Sequence, residues 1–89
     1  MRAIVTVIGR DQVGIIAFVC SLLSAHNVNV LDISQTVLQE YFTMIMLVDV
    51  SDTSLPFSQL AALLEQEGKA RSLDIRTQRE DIFLAMHRI

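Results

Sequence analysis

Residues able to do chemistry are few in this chain, and they are scattered. A nucleophile needs a base at hand, and a metal needs several ligands at close spacing. Neither His26 nor His87 has a Cys, Asp or Glu at metal-ligand spacing. His26 follows an apolar helical pattern and is expected at an exposed helix end. His87 sits beside Arg88, where a helix C-terminus favours a cation. Glu80, Asp81 and His87 form the one acid–base group, and helical spacing does not clearly bring all three together. Serines and threonines lie along strands and loops, none in a nucleophile elbow. Cys20 reads as a buried small hydrophobe, and Met44 with Met46 as core and interface filler. No catalytic residue, metal ligand or cofactor motif emerges, so an enzyme is disfavoured.

Binding chemistry is concentrated in one stretch, Gly9 to Ile15, GRDQVGI. It lacks both the GxxxxGK[ST] phosphate cradle and GxGxxG. It does precede an apolar helical run. If residues 13–26 form a helix, the amides of Val13, Gly14 and Ile15 are its first free donors, and such an end attracts a carboxylate or phosphate. Gly14 allows close backbone approach. Asp11 can accept hydrogen bonds from an ammonium group, and Asn29 offers both a donor and an acceptor. Amide donors beside one carboxylate suit a zwitterion such as a free amino acid. The same residues have a plainer reading: Asp11 caps the helix, Gly14 relieves crowding and Asn29 shapes a turn. The residue types leave both open.

The elements that must position this loop are legible from periodicity. Residues 2–9, RAIVTVIG, are rich in β-branched residues and predict a central strand buried on both faces. In 13–26, Ile16, Val19, Cys20 and Leu23 share one helical face, widened by Ile15, Phe18 and Leu22. Residues 28–39 alternate, with Leu31, Ile33 and Val37 against Asp32, Ser34 and Thr36, as in a half-buried antiparallel strand. Residues 41–50 form a further strand, joined to the last by a short hairpin at Gln39-Glu40. After the loop at 51–55, Pro56 fits the first turn of a second helix, with Phe57, Leu60, Ala61 and Leu64 as its apolar stripe and Gly68 as its C-terminal cap. Residues 72–79 set Leu73, Ile75 and Thr77 against Asp74, Arg76 and Gln78, a last strand. Residues 81–89 predict a short helix or tail.

This order predicts an α+β, ferredoxin-like βαββαβ sandwich: an antiparallel four-stranded sheet with two helices on one face, plus the C-terminal segment. Eighty-nine residues, 52% of them hydrophobic, make one domain, 1–89, with a packed core. Ten acidic against seven basic residues argue against a nucleic-acid partner. One cysteine forbids an intramolecular disulfide and suits a reducing compartment. No apolar run reaches the roughly 18 residues of a membrane span, and the N-terminus lacks a signal-peptide pattern. A cytoplasmic protein with no membrane partner is expected. Strand 41–50 is apolar on both faces, with Phe42, Met44, Met46 and Val48 against Tyr41, Ile45 and Leu47. An uncovered apolar sheet face marks an interface. A homodimer or higher homo-oligomer is expected, the alternative being that the C-terminal segment folds over this face.

The element order, the GRDQVGI loop, the NVNV strand that follows and the ending REDIFLAMHRI together resemble the ACT domain, over essentially the whole chain. Members often carry a G-x-D/N-R-P-G-I/V-type loop after strand one. The chain agrees at Gly9, Asp11, Gly14 and Ile15 and departs at Gln12 and Val13. It is most similar to stand-alone prokaryotic ACT proteins of the kind that regulate the glycine cleavage system. The resemblance implies a regulatory module that binds an amino acid or similar small molecule at an interface between two such domains. It implies a ligand site built from Gly9, Asp11, Val13, Gly14 and Ile15, with Asn29 facing it from the neighbouring chain or strand. Protein–protein interaction through the apolar sheet face, without a ligand, is the competing reading.

Overall fold

The computed structural model describes residues 1–10 and 12–81. Six elements follow in the expected order: β1 (Arg2–Arg10), α1 (Ile15–Ala25), β2 (Asn29–Leu38), β3 (Tyr41–Asp49), α2 (Phe57–Lys69) and β4 (Asp74–Arg79). The strands form one antiparallel sheet in the order β2-β3-β1-β4. This is the ferredoxin-like βαββαβ fold. The expected helix or tail from residue 81 onward falls, beyond Asp81, outside the described residues.

Period-two alternation builds the core. Ala3, Val5 and Val7 of β1 are fully buried, as are Met44, Met46 and Val48 of β3, with Phe42 beside them. These residues lie opposite one another in register, Val5 with Met46 and Val7 with Met44, so they share one face. Val19 and Leu23 of α1 and Leu60 and Leu64 of α2 cover that face, also fully buried. Burying each such side chain is worth about 1.5–3 kcal/mol relative to exposure.

β1 is central, as expected, but its second face is not covered among the described residues. Ile4 and Thr6 are half-buried there and Ile8 is exposed. Being central buries a strand's edges; burying both faces needs a second layer. β2 departs further. It is an edge strand, and Leu31, Ile33 and Val37 are exposed. A bulge between Val30 and Asp32 breaks the alternation, so Val30 and Ile33, not Leu31 and Ile33, stand opposite the buried Val48 and Met46.

The helices are displaced slightly from their expected bounds. α1 begins at Ile15 because Gly14 takes the left-handed conformation, φ 86°, as its N-cap. Ile16, expected on the buried face, is exposed, and Ile15 takes its place in the core. Pro56 precedes α2 as its N-cap, and Gly68 lies within the helix instead of ending it. A Cβ on Gly68 would stand 2.7 Å from Cγ1 of Ile75 and 3.0 Å from the Leu73 carbonyl oxygen. Close approach of α2 to β4, not a turn, requires this glycine. The positive φ of the turn is carried by Ser72, at 61°.

Candidate functional site

The loop after β1 is held from three sides. Gly9 lies in β1, as expected, opposite Phe42. A Cβ there would stand 2.6 Å from Cδ2 of Leu73 and 3.3 Å from the Ser72 carbonyl oxygen. Gly9 therefore admits the α2–β4 turn against the end of the sheet. Gln12 Nε2 donates to the Arg71 carbonyl at 3.2 Å and ties the loop to the same turn. The Arg71 guanidinium in turn stacks 4.1 Å from the Phe18 ring centroid on α1, a favourable cation–π contact.

Gly14 has a different reason. Its φ of 86° is a conformation that side chains resist, yet nothing lies within 4 Å of where its Cβ would be. The backbone is constrained and the space in front of it is open. The Gly14 carbonyl accepts the Phe18 amide at 2.9 Å, which closes the first turn. The free donors of that turn are thus the amides of Ile15, Ile16 and Ala17, two positions beyond those expected. Val13 is fully exposed, at 100%, so it is free to meet a ligand or a second chain. The Ile15 side chain is buried in the core, which leaves only its backbone for binding. Asp11 lies outside the described residues.

Two hollows meet at Gly14. A groove of about 530 Å³ runs along α1 past Ala17 and Ser21 to Arg71. A smaller one of about 160 Å³ lies on the other side, between Gln12, Ile16 and Phe42. Asn29 opens onto neither. It lines a third hollow of about 340 Å³ with Ser24, Asn27 and Asp52, where α1 ends. Eleven residues of helix span about 16 Å. Within one chain, then, Asn29 does not face the loop, and the expectation that it might do so from a neighbouring strand is corrected. The turn after α1 puts it at the far end.

Ser24, Asn27 and Asp52 at this third hollow, and Phe18 and Arg71 at the groove, were not among the candidate residues read from sequence. The Asn27-x-Asn29 pair was the available signal. Asn27 takes a positive φ of 59°, which Asn tolerates better than most residues. Asp52 forms no ion pair or hydrogen bond among the described residues, in contrast to Asp49. Hydrogen bonds from the Ser51 hydroxyl and the Ser51 amide hold the Asp49 carboxyl below its ordinary range, with the N-terminal ammonium helping. Among the described residues no three His, Cys, Asp or Glu converge as metal ligands, and no helix is long and apolar enough to cross a membrane.

Comparison with known proteins returns the same family from sequence and from structure. The ACT domain model matches residues 2–78, and the chain belongs to that family. A UPF0237 protein of Bifidobacterium longum is 53% identical over 88 residues, covering 99% of this chain and 98% of that one. A solved ACT domain protein from Streptococcus pneumoniae superposes with a TM-score of 0.83 at 42% identity, covering 98% of each chain. A putative glycine cleavage system transcriptional repressor shares the fold, with a TM-score of 0.73 at 22% identity over 86% of this chain and 44% of its own. ACT domains are typically regulatory ligand-binding modules, and this membership suggests a regulatory rather than a catalytic role.

Proposed function

We propose that this protein is a small cytoplasmic regulator that senses an amino acid or a similar small metabolite at a homodimer interface. The observation that carries this reading is the start of α1. Its first-turn amides stand beside open space at Gly14, and the first turn holds no acidic side chain that would repel an anion. The ligand's carboxylate sits against these amides. Gly9 and Gly14 shape the loop, Asp11 and Val13 flank the ligand, and Ile15 contributes its amide. Asn29 reaches the ligand from the second chain, since its own chain holds it at the other end of the helix. The reading requires no cofactor, metal, nucleic acid or catalytic step, and it takes residues 1–89 as one module.

Thermal unfolding against each of the twenty amino acids tests it. A ligand bound only by the folded state adds about 2.7 kcal/mol at a hundredfold excess over its Kd. One amino acid should raise the midpoint, and Gly14→Val should abolish the rise. No rise with any amino acid would sink the sensor reading.

The open sheet face favours a second reading, a protein-interaction module without a ligand. Ile8, Tyr41 and Ile45 are exposed there at 44%, 51% and 41%. Under that reading Ile45→Glu abolishes recovery of a stoichiometric partner from cell extract while Gly14→Val does not.

A further inference from the structure

We infer that residues 82–89, IFLAMHRI, dock on the open face of their own chain's sheet and close its apolar part. This goes beyond the sensor reading and gives the open face an occupant.

The first support is the face itself. Opposite the helices the strands present successive rows of side chains. One row joins Gln78, Ile4 and Leu47, and the next joins Arg76, Thr6 and Ile45. Ile8 and Tyr41 lie further along. An exposed apolar patch of this kind ordinarily meets something. Exposure is also graded along it. Gln78, Ile4 and Leu47 are half-buried, although among the described residues no helix or strand stands over them, whereas Ile45, Ile8 and Tyr41 are exposed. Gln78 belongs to an edge strand, where a long polar side chain is ordinarily left to water. The sheltered row is the one next to the end of β4.

The second support is the side to which the chain turns on leaving β4. Arg2 belongs to the open face, because Ala3 beside it is buried in the core and successive side chains of a strand alternate. Its Nε and Nη2 both donate to Oε2 of Glu80, Nε at 3.1 Å. Glu80 and Asp81 have already left the strand for helical backbone. The ion pair therefore holds the start of the segment at the rim of the open face, beside the sheltered row.

The third support is composition and reach. Six of the eight residues from 82 to 89 are apolar and none is acidic. At helical spacing Ile82, Met86 and Ile89 form one stripe, with Phe83 beside it. Ile45 stands opposite Thr6, four residues along β1 from Arg2, or about 13 Å. Eight residues span about 12 Å as a helix and about 27 Å when extended, so the segment reaches Ile4, Leu47 and Ile45 in either form.

Tethering favours this occupant over a second copy. A segment held at the rim by a short connection acts at an effective concentration in the millimolar range. A separate chain competes only when it is comparably concentrated. Apolar side chains of the segment and of the sheet then leave water together.

Methyl NMR on the full chain tests this. In protein labelled at isoleucine methyl groups and phenylalanine rings, the Ile4 and Ile45 methyls should show nuclear Overhauser contacts to the Phe83 ring. Those contacts should keep their relative strength when labelled protein is mixed with excess unlabelled protein, since both groups belong to one chain. Absence of the contacts, or their loss on mixing, would overturn the inference. A stability cycle reads the same docking independently. Ending the chain after Asp81 should lower the unfolding midpoint by about 5 °C or more. Ile45→Ala should lower the midpoint of the full chain and leave that of the shortened chain nearly unchanged. Should the shortened chain not fold, Phe83→Ala takes its place in the cycle. Equal effects of Ile45→Ala in both backgrounds would overturn the inference.

Discussion

The two flanks of the sandwich are built from the same parts and finished differently. On one flank α2 and β4 are dressed for water. Lys69 pairs with Glu65 at 3.4 Å along α2, Arg76 with Asp74 at 3.4 Å on β4, and Arg79 with Asp81 at 2.8 Å just beyond. Exposed pairs of this kind add little stability, a median of about 0–1 kcal/mol each, but they keep an edge solvated and discourage association. On the other flank α1 has no charge and β2 has one. Inside, the two helices are alike: Val19 and Leu23 on α1 and Leu60 and Leu64 on α2 are all fully buried. The difference therefore concerns what each flank meets outside, not how the monomer is held together. The open glycine loop lies on the uncharged flank.

The two flanks' glycines give the sharpest way to break this comparison. Gly68→Ala forces a methyl group against Ile75 and the Leu73 carbonyl where α2 meets β4. It should cost about 1–3 kcal/mol by overpacking, read by chemical denaturation, and leave the ligand's Kd unchanged once folded. Gly14→Ala meets no atom and should cost only about 1 kcal/mol, from the left-handed backbone. Its larger effect should be on ligand affinity. If Gly68→Ala proves the milder of the two in stability, the packed flank is looser than its geometry indicates.

Ile33→Lys places a charge on the exposed β2 edge and should change monomer stability by less than about 0.5 kcal/mol. Sedimentation should nonetheless show a shift toward monomer. Asp74→Lys on the exposed side of β4 should leave the association state as it is. Equal effects from both edges would erase the distinction between flanks.

The smallest expected effect lies at Asp49. Its carboxyl is held below the ordinary 3.8 by Ser51. A lowered folded-state value stabilises the protein above the unfolded pKa, and that contribution is lost as pH falls through the folded value. Asp49→Asn should therefore lower the unfolding midpoint slightly at neutral pH and not at all in strong acid, because the group is exposed and well solvated.

Much of this protein is written locally. Alternation in Phe42, Met44, Met46 and Val48 and the helical spacing of Leu60 and Leu64 name both the elements and their buried faces, because side-chain direction follows backbone period. The glycine loop was legible as well, since a helix start next to glycine exposes amides whatever surrounds it. Other features depend on partners distant in sequence. Gly68 looks like a helix cap until Ile75 is found against it, and the reason for a glycine at position 9 of β1 is hidden until Leu73 is found against it. The bulge that turns Leu31 out of register appears only once β3 is paired to β2. Asn29 and Asp52 share a hollow because β2 and β3 are antiparallel neighbours, so the start of one strand meets the end of the other. Sequence alone determined which residues seek burial and where the backbone must turn, because those are properties of a few neighbouring residues. Tertiary structure decided which edge is left open and which polar groups meet there, because strand order joins residues that no local pattern connects.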